Sequence, residues 1–73
     1  MENVNKKELG NKLYQWIMDV LKEKKYETVL CVSINNTEIE LKYEPTNDVY
    51  ILNGTHYSKF TRVLEILSNL FNN

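Results

Sequence analysis

Across residues 28–43 apolar and polar positions alternate twice, and the two alternating runs meet at Asn35-Asn36. Alternation with a period of two marks a strand with one buried face. Asparagine tolerates positive φ better than any residue but glycine, so a pair of them suits a two-residue hairpin of the type I′ kind. A turn there sets a register in which Ile34 opposes Thr37, Val32 opposes Ile39 and Leu30 opposes Leu41. The apolar partners then share one face. The other face carries Ser33 with Glu38, Cys31 with Glu40 and Val29 with Lys42.

Upstream, the period changes to that of a helix. Asn5 and Glu8 have the spacing of a capping box, and Val4 can staple to Leu9. Leu9, Leu13, Trp16, Ile17, Val20 and Leu21 then recur at three- and four-residue steps as one apolar stripe. Lys22, Lys24 and Lys25 suit the negative end of the helix. Gly10 interrupts the pattern at a cost of roughly 1 kcal/mol relative to alanine, either to permit a close contact or because it is tolerated.

Downstream, the turn-forming residues 44–48 separate a third strand, 49–53, whose inward pair is either Tyr50 and Leu52 or Val49 and Ile51. Asn53-Gly54 turns the chain into a last helix with Phe60, Val63, Leu64, Leu67 and Phe71 on one face, capped by Thr55 or Ser58. These elements predict an α+β fold, a single two-layer α-β-β-β-α domain over 1–73. A three-stranded antiparallel meander carries both helices on one face and turns its other face to solvent or a partner.

Size sharpens this picture. At 73 residues the chain is near the lower limit for one self-sufficient core, burying about 60% of its unfolded surface. A net charge of −1 gives no field to recruit nucleic acid or an anionic membrane. No apolar run resembles a signal peptide or a membrane span, so a cytoplasmic protein is the expectation. Alanine is absent, glycine, proline and arginine are scarce, and residues with AT-rich codons replace them, which points to a low-GC genome.

Chemistry is sparse. Cys31 and His56 are the sole cysteine and histidine, so neither a disulfide framework nor a four-ligand zinc site can form. A thiolate–imidazole pair would need Cys31 to be activated, yet it stands mid-strand away from clustered cations. Glycines are too few for a phosphate loop. No catalytic residue, metal or cofactor is expected.

Two surfaces remain as candidates for binding. Glu38, Glu40, Lys42 and Glu44 alternate outward, and residues 27–57 carry a net −4 against +2 for residues 1–26. That row is either an acidic face for a basic partner or an ordinary solvated strand face. Apolar residues also exceed what one core face requires: Tyr14 and Met18 on the first helix, Ile66 and Leu70 on the last, Val29 and Cys31 on the sheet. Either the fold covers them or they meet another chain, and a homodimer is the expected assembly, with a host protein as a further partner. Five tyrosines could stack on bases, but Tyr43 and Tyr50 lie among acids rather than cations.

The α-β-β-β-α order and the length resemble double-stranded-RNA-binding domains across nearly the whole chain. Ser58-Lys59 matches two positions of that family's Ser-Lys-Lys pattern, with Phe60 in place of the second lysine. The loop at Asn35-Asn36 lacks the family's Gly-Pro-His-type residues. The resemblance implies a weak nucleic-acid module, here using Lys22, Lys24 and Lys25 of the first helix. In size and composition the chain also looks like small uncharacterised proteins encoded by prophages of low-GC Gram-positive bacteria, of the SP-beta-type prophage of Bacillus. That likeness implies cytoplasmic expression in an infected or lysogenic host and no established activity; a non-enzymatic protein acting by protein–protein interaction is the expectation that remains by elimination.

Overall fold

The computed structural model describes residues 2–23 and 28–72. Helix α1 spans Lys6–Glu23, followed by strands β1 (Thr28–Ile34), β2 (Thr37–Glu44), β3 (Val49–Leu52) and β4 (Thr55–Tyr57), and by helix α2 (Phe60–Phe71). Lys24 and Lys25, expected at the end of the first helix, lie outside the described residues. The strands form one antiparallel sheet in the order β1-β2-β3-β4.

The first helix starts as its sequence dictates. The Asn5 side chain accepts a hydrogen bond from the Glu8 backbone N–H at 2.8 Å, and the Glu8 carboxylate accepts one from the Asn5 N–H at 3.4 Å. Two of the four orphan donors at this helix end are thereby satisfied. Leu9, Leu13, Trp16 and Val20 are buried. Leu21, expected in the same stripe, is 58% exposed instead. Twelve residues of helix rotate it about 120° away from Leu9, past the edge of the buried arc.

Asn35 and Asn36 both take positive φ, 50° and 65°. The hairpin has the expected register, from Ile34 opposite Thr37 to Thr28 opposite Tyr43. A four-residue connection then pairs Glu44 with Val49, which places Tyr50 beside Tyr43 and Leu52 beside Leu41. Tyr50 and Leu52 therefore share the core-facing side, while Val49 and Ile51 share the outward one.

The expectation of three strands is corrected to four. Asn53 and Gly54 take φ of 47° and 85°, so a second two-residue turn reverses the chain where a helix was expected. Thr55, His56 and Tyr57 then pair with Leu52, Ile51 and Tyr50. A strand of three residues is too short to show alternation, so its period could not announce it. Helix α2 consequently begins later, with extended Lys59 at its N-cap and no capping side chain; neither Thr55 nor Ser58 has that role.

One cluster of buried side chains joins Leu9, Leu13, Trp16 and Val20 of α1, the inward residues of β1, β2 and β3, and Val63 and Leu67 of α2. An aromatic group ties these elements together. The Trp16 ring lies 5.9 Å from Phe60 and 6.1 Å from Tyr50, and Tyr50 lies 5.4 Å from Tyr43. Leu64, expected on the buried face of α2, is 39% exposed, one helical step around from fully buried Val63.

The tip of the first hairpin is anchored from two directions. Asn3 Oδ1 accepts hydrogen bonds from the Ser33 hydroxyl and the Asn36 N–H, both at 2.9 Å, while the Val4 N–H donates to the Ser33 carbonyl. This segment covers Ser33, which is why that outward-facing polar residue is buried. On the other side Asn35 Nδ2 donates to the Leu70 carbonyl at 2.6 Å, satisfying an acceptor in the last turn of α2.

Asn35→Ala should therefore cost about 2 kcal/mol, from a left-handed alanine and a lost hydrogen bond. Asn35→Gly keeps the turn and should cost less than half as much. Urea unfolding of the two variants checks both values; equal losses would mean that the turn conformation is not what Asn35 supplies.

Candidate functional site

The outward sheet face follows directly from the register. One row across the strands runs Val29, Lys42, Ile51 and His56, and the next runs Cys31 and Glu40. Cys31 is an exposed free thiol, and Val29 is 48% exposed. Cys31, Glu38, Glu40 and Asn53 border an open depression of about 320 Å³. The acidic row is partly neutralised within itself, because Lys42 Nζ lies 3.5 Å from Glu40. Asn53 completes the edge of β2: its side chain accepts from the Glu40 N–H at 2.7 Å and donates to the Glu38 carbonyl at 3.2 Å.

His56 lies on β4 rather than at the start of a helix, and it is exposed. Cys31 is three strands away from it. At about 4.8 Å per strand the separation is roughly 14 Å, too far for the thiol and imidazole to share a proton. Among the described residues no group of three or more His, Cys, Asp or Glu side chains could hold a metal ion. No described helix is long and apolar enough to cross a membrane.

The tyrosines divide by environment. Tyr43 is buried, Tyr50 and Tyr57 are half-buried, and Tyr14 is exposed; Tyr26 lies outside the described residues. The Tyr43 hydroxyl donates to the Asp48 carboxylate, whose backbone takes φ 53° in the β2–β3 connection. That hydrogen bond, helped by burial and by the negative charge of Asp48, pushes the Tyr43 phenol up to about 12. Burial, and then Asp48, also raise Tyr50. Tyr43 lies in the core and Tyr50 and Tyr57 pack against it, while the Tyr14 ring is open to solvent. Phe60, in the position where the RNA-binding pattern has a lysine, stacks against Trp16 within the core.

The second surface lies on the helices. Tyr14 is 67% exposed, and Met18 and Leu21 follow it at four- and three-residue steps as one outward strip. Tyr14, Met18 and Leu21 border a shallow depression together with Gln15, Asp19 and Lys22. Leu64 of α2 borders a separate groove with Gly10 and Leu13 of α1. Ile66 and Leu70, grouped with the surplus residues in the sequence, are half-buried against the core cluster. The candidate residues thus fall into a helix strip (Tyr14, Met18), an outward sheet face (Val29, Cys31, Glu38, Glu40) and the flank of the core (Ile66, Leu70).

Leu21 and Leu64 belong to the exposed helix surface and were missed. Plotting positions at 100° per residue would have set both at the edge of their apolar arcs. The pairing of Asn3 with the hairpin had no period to reveal it. Comparison with family models, with curated proteins and with solved structures finds no match for this chain.

The Tyr43–Asp48 contact makes stability depend on pH. The folded state holds the phenolic proton more tightly than the unfolded chain, whose ordinary value is near 10. The contribution is fully present below pH 10 and is lost as pH rises toward 12. Tyr43→Phe should cost about 1.5 kcal/mol at neutral pH and flatten the decline above pH 10. Urea midpoints measured at pH 8, 10 and 11 test this; an unchanged slope in the variant would contradict it.

Proposed function

We propose that this domain is a non-enzymatic protein-interaction module that works as a homodimer, with both helices covering one sheet face. The observation that carries the proposal is the exposed strip of Tyr14, Met18 and Leu21 on α1, with exposed Leu64 on α2 as further uncovered apolar surface. A chain of this size has little apolar surface to spare from its core, and Tyr and Met are favoured at interfaces. A second copy suits the strip because its flanks carry both signs, Asp19 and Lys22, on a self-facing helix surface. The outward sheet face, with Glu38 and Glu40, stays free in such a dimer to meet a host protein. Size and residue usage support placing the protein among small prophage-encoded proteins acting in the cytoplasm of a bacterial host.

Light scattering over a concentration series should give a mass near twice 8.7 kDa that persists on dilution. Met18→Glu should shift the protein to monomer while its circular dichroism stays unchanged, since Met18 is 45% exposed. A strictly monomeric wild type would refute the dimer.

A further inference from the structure

Strand β1 stands at one end of the sheet, and nothing in its sequence guards that edge. Outer strands are kept from further pairing by a charge, a proline or a bulge. Thr28–Ile34 has neither charge nor proline, and it pairs with β2 without a break in register. The Val4 N–H donates to the Ser33 carbonyl, so the backbone of Ser33 points away from β2. Strand alternation turns the N–H and C=O groups of Cys31 and Val29 the same way. Asn3 bridges to Ser33, and the cover ends there. Among the described residues no backbone group bonds to Cys31 or Val29 on that side.

Open space lies on both sides of this edge. A groove of about 480 Å³ separates it from the first turns of α1, with Glu2, Glu8 and Lys12 beside Cys31 and Val32. The depression on the outward face reaches the same Cys31 and Val32, bordered by Glu38 and Glu40. Four carboxylates thus surround the free edge against Lys12 and Lys42, the latter 3.5 Å from Glu40. Leu30, which faces the core from this outer strand, is only half-buried.

We infer that the β1 edge takes up an extended, basic segment of another protein as a fifth strand of the sheet. The free backbone groups of Val29 and Cys31 bind such a segment whatever its sequence, and its alternate side chains meet the two faces. Outward, a lysine or arginine lies over the small Cys31 and Val29 and reaches toward Glu40, two strand spacings or about 10 Å away. Inward, an apolar residue covers Leu30. A second copy's β1 could continue the ladder, but it is uncharged and would leave the carboxylates without a counter-ion.

The inference rests on reading the domain as an interaction module whose sheet face meets another protein, and not on the helix-strip dimer. The probe is a capped peptide of alternating lysine and valine, added to the full chain and followed by NMR. It should shift the Cys31 and Val29 amides and slow their hydrogen exchange, leaving the β4 amides unmoved. Glu40→Gln, at an exposed position, should weaken binding about threefold. The same peptide N-methylated at every amide keeps its charges but cannot extend the ladder, and it should not bind. A peptide that fails to bind, or binds equally well when methylated, would overturn the inference. Cys31 and Val29 amides that gain protection with protein concentration alone would also overturn it, by giving the edge to a second copy. Light scattering on the same samples reads the helix-strip dimer separately, so either reading can fail alone.

Discussion

With a type I′ turn at Asn35-Asn36, β1 and β2 have a single register available, and the sorting of side chains depends on that register. Because a strand shows its residues alternately to two faces, a slip of one position would expose Val32, Ile34, Ile39 and Leu41. It would also drive Glu38, Glu40 and Lys42 together into an apolar interior, where charged groups lose their hydration. The turn is held by more than its own conformation. Asn3 binds its second residue and Asn35 binds a carbonyl of α2, so both ends of the chain close on the hairpin tip. The β3 and β4 strands inherit their facing from β2 through the Glu44–Val49 and Leu52–Thr55 pairings.

Once the register is set, the core faces a shortage of area. A four-stranded sheet whose β4 edge is only three residues long can cover only part of two amphipathic helices whose apolar arcs are wide. Trp16, Tyr43, Tyr50 and Phe60 fill the middle with large rings, which bury much surface per residue. What remains uncovered lies where each helix rotates away from the sheet: Tyr14, Met18 and Leu21 on α1, Leu64 on α2. The exposed helix strip is thus a geometric consequence of the same packing that buries Val20 and Val63.

The sequence revealed most where one local rule acted alone. Two asparagines between alternating runs specified the β1–β2 hairpin residue by residue, and the Asn5–Glu8 spacing specified the start of α1. It revealed less where elements were short or non-periodic. Asn53-Gly54 carried the same turn signal as Asn35-Asn36, but the strand after it spans three residues and shows no period. The inward pair of β3 depended on the length of the preceding connection, which composition could not supply. Of the candidate surface residues, Tyr14, Met18, Val29, Cys31, Glu38 and Glu40 are indeed exposed, whereas Ile66 and Leu70 lean on the core because α2 turns them toward it. Strand order separates Cys31 on β1 from His56 on β4, which their places in the sequence did not show.

The outward sheet face, the acidic row included, takes its facing from the register set at Asn35-Asn36. Cross-strand Hα–Hα contacts in the NMR spectrum read that register directly, because they are strong only between facing residues that do not share hydrogen bonds. The account predicts them for Ser33 with Glu38, Cys31 with Glu40 and Val29 with Lys42. Contacts between Val32 and Ile39, or between any residues displaced by one position, would contradict it.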